Sequence, residues 1–347
     1  MTYLNYQGFS AGIIISFFLI IILIATKKYH IKFSSDANYG PQKVHSLQIM
    51  RIGGIITLPS YLLTSYFFEH YKLFFFELSL VLIPAYIYGL REDLFKNITP
   101  FKRLIGILLS AILIKIYLGI SLTDFGLFKI NQNYLIIFIT VLGITTLANA
   151  FNIIDGLNGL SLGTTIINLL FIFLISMKVH DNFIQNLCLF LIFPFITIIL
   201  FNFPIARLFS GDAGAYVMGI CVSVASILLA ENNNSVNPFC SLLIIIYPLY
   251  ECVRSFFRRL FAGRRIDVPD NFHLHSLIYK YLQNKINIKF ANPIASCSIL
   301  ILPFLCSLWS YIYNDQQYKL ILGIFIFVMI YEILTAIILK ILSSYKI

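Results

Sequence analysis

Charge is what this chain has least of. Only 12 % of its 347 residues are Asp, Glu, Lys or Arg, while 59 % are hydrophobic. A soluble chain needs more polar surface than that to cover its core, so a soluble globular protein is excluded. Cysteine is also scarce. The six (188, 221, 240, 252, 297 and 306) lie in or beside apolar runs without CxxC spacing. They read as small packing residues and give no disulfide framework or thiolate metal site. No Pro- or Ser-rich linker and no repeat period divides the chain. The longest polar stretch, 256–290, is too short for a domain of its own. A single domain over 1–347 is expected.

What fills the space is apolar length. Mean hydropathy is +0.87, and runs near the roughly 20 residues needed to cross a bilayer core recur throughout. Eleven spans are predicted: 8–26, 52–68, 73–90, 104–120, 133–149, 160–177, 184–203, 213–230, 238–255, 291–312 and 319–340. The fold class expected is therefore all-α, a polytopic helical bundle in a membrane. The first span has no basic n-region or small-residue cleavage site and reads as retained. With the N-terminus outside, eleven spans put the C-terminus inside. Twenty of the 25 Lys and Arg then fall on the inner side, the bias that sets orientation. The net charge of +10 thus calls for no nucleic-acid partner; it would draw anionic lipid and anionic substrates to the inner face.

The inner loops (28–51, 91–103, 149–160, 204–212 and 256–290) hold nearly all the polar chemistry. In GLREDLFKNITPFKR (89–103), Glu92 and Asp93 are adjacent carboxylates followed by Lys102 and Arg103. Such a pair can hold a divalent cation or accept a proton, and the bases can grip phosphate; a solvated interfacial turn is the plainer alternative. In NAFNIIDGLNG (149–159), Asn149, Asn152, Asp155 and Asn158 recur every three residues, with Gly156 and Gly159 between or after them. The spacing keeps the polar groups near one side of a helical turn, and their oxygens suit Mg²⁺. Four polar residues exceed what a helix cap requires. FNFPIARLFSGDAGAYVMG (201–219) sets Asp212 in a Gly-rich turn entering a span, equally an N-cap and a phosphate cradle. The last loop is dense in Arg, including Arg264 and Arg265, and ends in HLHS with His273 and His275. Two His alone are poor zinc chemistry, and donors to a phosphate are the better reading. Carboxylates, amide oxygens, bases and His on one face are what metal-dependent phosphoryl transfer needs.

These blocks resemble the polyprenyl-phosphate N-acetylhexosamine-1-phosphate transferases (MraY/WecA type, glycosyltransferase family 4). NAFNIIDGLNGLSLG matches the family's Asn-x-x-Asn-x-x-Asp-Gly block, and FNFPIARLFSGDAGAYVMG its Pro-Ala-x-x-Phe-x-Gly-Asp-x-Gly block. GLREDLFKNITPFKRL resembles its Asp-Asp loop, HLHS its His-x-His-His element, and RIGG at 51–54 its first-loop signature. The matches run in order over 36–276, about 70 % of the chain.

The resemblance implies transfer of a HexNAc-1-phosphate from a UDP-HexNAc to undecaprenyl phosphate, with release of UMP. It places the reaction at the cytoplasmic face of a bacterial inner membrane, with Mg²⁺ (or Mn²⁺) as cofactor. It implies Asp212 and Asn152 as metal ligands, and Glu92 and Asp93 as organisers of the acceptor phosphate or as base. Lys102 or Arg103 would hold phosphate, Asp155 and Asn158 would shape the site, and His273 and His275 would lie near the donor. Asn149, Arg264 and Arg265 join the substrate-binding set.

Departures from the pattern are Glu92 for Asp, Asn158 for a frequent Asp, Ser276 for a third His, and Met50 before Arg51 where Pro is usual. They point away from the peptidoglycan branch and toward members initiating O-antigen or capsule. Pairing with a second copy as a homodimer stays open. So do two other readings, a transporter or flippase and a catalytically inactive homologue. Only Glu77, Lys115, Glu251 and Glu332 lie within predicted spans; a transporter would set more charge at mid-membrane.

Overall fold

A computed structural model describes residues 4–34, 49–263, 265 and 272–344, apart from the side chains of 32–34, 288 and 289. Fifteen α-helices occupy them. The first six are α1 (Tyr6–Ala25), α2 (Lys27–Ser34), α3 (Thr57–Ser65), α4 (Lys72–Val81), α5 (Ile83–Phe95) and α6 (Pro100–Tyr117). Then come α7 (Asn133–Ile154), α8 (Leu160–Lys178), α9 (Asn182–Asn202), α10 (Gly211–Asn232), α11 (Pro238–Ile244) and α12 (Ile246–Phe261). The last three are α13 (Leu274–Gln283), α14 (Ile288–Ile312) and α15 (Gln317–Ser344). Among the described residues there is no strand, only the isolated bridges Met50–Leu208 and Asp124–Lys129. The all-helical expectation holds, and the protein is a multi-pass membrane protein.

Every predicted span is helical, but not every one is a straight crossing. Seven helices are long and apolar enough to span alone, and nine crossings result if two bent pairs each count once. The pair ending in α5 bends by 43° and the α11–α12 pair by 75°. The other two expected spans fall short for different reasons. Stretch 52–68 becomes a 3-10 turn followed by the nine residues of α3, about 14 Å of helix against a core of about 30 Å. α6 has 18 residues but carries Lys102, Arg103 and Lys115. Within 256–290, read as loop, α13 forms a ten-residue helix that buries Leu274, His275, Leu277 and Tyr279.

The bundle is graded from centre to rim. Of the seven long apolar helices, α10 is the most enclosed, 94 % buried over its apolar window, and α15 the least at 17 %. The sequence of α10, GDAGAYVMGICVSVAS, explains this. Small residues let backbones approach closely, which is how membrane helices gain packing without a hydrophobic drive between them. At Gly219 any side chain would run into Ala148 of α7. Helices α5, α7 and α8 pack around α10, while α1 and α15 turn Ile14, Phe18 and Phe325 outward. That placement suits lipid and not water.

Candidate active site

The start of α10 is the point where the loops meet. Backbone at 50–54 runs alongside 208–210. Phe209 N–H donates to the Met50 carbonyl (2.8 Å), Gly53 N–H to the Phe209 carbonyl and Gly54 N–H to the Ser210 carbonyl (both 2.7 Å). Glycine is required on both strands of this clip. A side chain on Gly54 would collide with the Gly214 backbone. Gly211 has φ +69° and faces the Arg51 carbonyl with no room for a Cβ. The clip therefore fixes Arg51 next to the first turn of α10.

Four side chains converge on the carboxylate of Asp212, itself 5 % exposed. Arg103 Nη1 donates to Oδ2 at 2.5 Å and the Tyr216 hydroxyl to the same oxygen at 3.3 Å. Asn152 Nδ2 donates to Oδ1 at 3.1 Å, and Arg51 Nη2 reaches it at 3.5 Å. The helix under this cluster is capped from outside. Asp93, fully buried near the end of α5, accepts the Asp212 N–H through Oδ1 (2.8 Å) and the Ala213 N–H through Oδ2 (3.0 Å). Helix N-termini leave N–H groups unpaired and favour negative charge, so a carboxylate here satisfies two donors and complements the dipole. Asp93 thus positions the helix that presents Asp212. Its neighbour Glu92 closes the α5–α6 turn by accepting the Ile98 N–H at 3.0 Å.

The opening of α8 supplies the second wall. Asp155 lies just past α7 and accepts from the Ser161 hydroxyl. Burial pushes its carboxyl up to about 7 against the help of Ser161 and Arg51. Asn158 is held through backbone and side chain: its backbone N–H donates to Asn292 Oδ1 (2.8 Å) and its Nδ2 to the Pro204 carbonyl (2.9 Å). Asn202 accepts from Gly159 N–H and donates to the Leu208 carbonyl (2.8 Å), tying this turn to the clip. Asn149 donates back to Thr145 of its own helix at 2.9 Å.

The His pair approaches from α13. His273 Nδ1 bonds Glu251 Oε2 at 2.8 Å, and the two imidazoles stack with centroids 5.4 Å apart. His275 Nε2 is 3.3 Å from where a Cβ on Gly156 would stand, so this ring lies over the Asp155–Gly156 turn. Burial lowers the His275 pKa. Of the two basic residues in the first turn of α6, Arg103 turns inward, whereas Lys102 is exposed. Arg265 is exposed, and Arg264 lies outside the described residues.

The structure thus gathers Asp93, Arg103, Asn152 and Asp212 into one cluster, with the Asp155–Gly156 turn and His275 as its neighbours. It gives Glu92, Lys102 and Asn149 no bond into that cluster. Sequence reasoning passed over Arg51, Tyr216 and Glu251. RIGG pointed to the first and the helical spacing of Asp212 and Tyr216 to the second; only folding brings Glu251 to the His pair. Among the buried polar atoms without a hydrogen-bond partner are Arg103 Nε, a donor, and Asn158 Oδ1, an acceptor, as well as Ser210 Oγ and His275 Nδ1. An anion beside Arg103 would satisfy the first.

A helical membrane bundle with a carboxylate, two guanidinium groups and an asparagine at one buried helix start is built to handle phosphate. Comparison with known proteins shows what this class resembles. Residues 75–230 match the model described as "Glycosyl transferase family 4". The chain is 28 % identical over 263 residues to the undecaprenyl-phosphate alpha-N-acetylglucosaminyl 1-phosphate transferase of Thermotoga maritima, covering 76 % of this chain and 78 % of that protein. It is 25 % identical to the probable undecaprenyl-phosphate N-acetylglucosaminyl 1-phosphate transferase of Bacillus subtilis (74 % of each chain), and 26 % to the Yersinia pestis protein of the same type as that of Thermotoga (77 % and 76 %). Over 75–230 the chain is similar to glycosyl transferase family 4, and the relatives it resembles are of the MraY/WecA type.

Proposed function

We propose that the protein transfers a HexNAc-1-phosphate from a UDP-HexNAc donor to undecaprenyl phosphate at the cytoplasmic face of a bacterial inner membrane. The observation that carries this is the convergence of Arg51, Arg103 and Asn152 on Asp212, with Asp93 capping the helix beneath. In the reaction, an oxygen of the acceptor phosphate attacks the β-phosphorus of the donor. The bond from that phosphorus to the bridging oxygen breaks, UMP leaves, and a lipid diphosphate sugar remains. A phosphomonoester of this kind loses its second proton near ~6, so at neutral pH the nucleophile needs little help from a base. That agrees with Asp93 spending both oxygens on backbone N–H groups.

Arg51 and Arg103 now neutralise Asp212. Phosphate oxygens entering the site would take over those guanidinium donors, bidentate contact being what the group favours. The freed carboxylate and the Asn152 amide oxygen are the residues that would hold Mg²⁺. Among the described residues no three His, Cys, Asp or Glu gather to enclose a metal. The donor set therefore suits a hard cation that binds one or two carboxylates and completes its shell with water and substrate phosphates. When bound, the ion would neutralise charge developing on the transferred group.

The excess of Lys and Arg on the loops that build the site supports a cytoplasmic orientation. The departures at Glu92, Asn158 and Ser276 favour members initiating O-antigen or capsule. Two of the three carboxylates within spans are taken up by partners and do not read as a transport path: Glu332 pairs with Arg254 at 2.6 Å, and Glu251 with His273.

The test is UMP release by purified protein with undecaprenyl phosphate, Mg²⁺ and a panel of UDP-HexNAc donors, with chelator and Asp212→Ala as controls. Release with one donor, abolished in both controls, is expected. Silence across the panel from folded protein would overturn the proposal.

A further inference from the structure

Glu251 is a fully interior carboxylate on α12, 1 % exposed, a long way in sequence from the acidic loops. It is not on the Asp212 cluster. Oε1 accepts the backbone N–H of Leu274, the first residue of α13, at 3.1 Å, while Oε2 is 2.8 Å from His273 Nδ1. The same carboxylate is 3.7 Å from His275 Nδ1. Two fully buried tyrosines, Tyr247 one turn earlier on α12 and Tyr331 on α15, are within electrostatic range.

An ionised carboxylate only accepts hydrogen bonds, so the proton between Glu251 and His273 sits on Nδ1. That fixes the tautomer and plane of His273. His275 stacks on this ring at 13° between planes and puts its Nε2 over the Asp155–Gly156 turn. Burying a carboxylate without purpose is costly, and its removal takes the acceptor from His273 Nδ1 and from a helix N–H.

We propose that Glu251 is the positioning residue of the site: it caps α13, sets the His273 tautomer, and through the stacked pair holds His275 against the Asp155–Gly156 turn. Its kinetic consequence rests on the transferase reading above; its structural consequence does not.

Two measurements separate those parts. In wild-type protein with ¹⁵N-labelled histidine, assigned by His273→Gln, ring nitrogen shifts near pH 8 should report His273 as the Nδ1–H tautomer, and Glu251→Gln should abolish that preference. A wild-type His273 in the Nε2–H form overturns the proposal, whether or not the variant folds. In the UMP assay, Glu251→Gln should lower turnover by about 10²-fold, the scale of a small misplacement, with the donor KM changed much less. Glu251→Asp should recover part of the loss. The double variant with His273→Gln should be no worse than the poorer single, because residues acting as a unit are non-additive. Turnover of Glu251→Gln equal to wild type, or losses that multiply in the double variant, would also overturn it. A wild-type protein that releases no UMP would sink the transferase reading while leaving the tautomer result to judge Glu251.

Discussion

Two helix starts in this protein are built alike and equipped differently. At α10 a buried carboxylate from α5, Asp93, accepts two N–H groups of the first turn; at α13 a buried carboxylate from α12, Glu251, accepts one N–H and an imidazole. In both, a charge that a membrane protein would otherwise exclude is kept because unpaired N–H groups and the helix dipole receive it. The α10 start then adds cations and a backbone clip so tight that glycine is obligatory. The α13 start adds stacked rings. The first arrangement is rigid and highly charged, suited to phosphate; the second is aromatic, with an imidazole held by a carboxylate.

That contrast can be broken at several points. The largest effect is expected from Asp212→Asn, which keeps the shape and removes the charge that both guanidinium groups share. UMP release should fall by at least about 10³-fold, far more than is explained by the roughly 1–3 kcal/mol of stability that an unsatisfied buried donor costs. Backbone tightness is tested next by comparing Gly211→Ala with Gly263→Ala. Both glycines have positive φ, 69° and 61°, but only the first faces the Arg51 carbonyl and Asp93, while the second faces open space. Gly263→Ala should cost about 1 kcal/mol. Gly211→Ala should cost about 3 kcal/mol or more by thermal unfolding, since backbone on both sides must move.

Asp93→Asn sharpens the role given to the cap. One acceptor remains and an NH₂ group is turned on a backbone N–H, so a loss of about 2 kcal/mol and a matching fall in turnover are expected. A catalytic base would instead lose turnover with stability intact. Smaller again is a pH effect. The Asp155 carboxyl sits at about 7, above its ordinary 3.8. A raised value means the folded state favours the proton, so this group's stabilising contribution is whole below about 4 and lost as pH rises toward about 7. Between pH 5 and 8, wild type should lose about 1–3 kcal/mol relative to Asp155→Asn. The smallest effect belongs to Arg254→Ala. Its partner Glu332 is 44 % exposed, and such pairs contribute under about 1 kcal/mol.

Much of the site was legible in the chain because its polar residues stand against an apolar background. Asp212, Asn152 and Arg103 could be picked out on residue type, and the structure brings them together. The all-helical class followed from apolar length alone. What escaped depends on geometry that pattern does not carry. Glu251 looked like an isolated charge in a span until α13 returned to it, and α13 itself was hidden inside a basic loop. Asp93 reads as half of an acidic pair, yet helical spacing turns it inward to a backbone while Glu92 serves a turn. Spans 52–68 and 104–120 were counted by hydropathy, which senses neither the 3-10 turn before α3 nor the charges on α6.

The measurement that bears most directly on the central claim is mass spectrometry of the lipid extract after incubating the protein with undecaprenyl phosphate, Mg²⁺ and its UDP-HexNAc. The account predicts a lipid heavier by one HexNAc-phosphate, formed in step with UMP and missing with Asp212→Asn. A free HexNAc-phosphate with unchanged lipid, or a product that persists in Asp212→Asn, would contradict it.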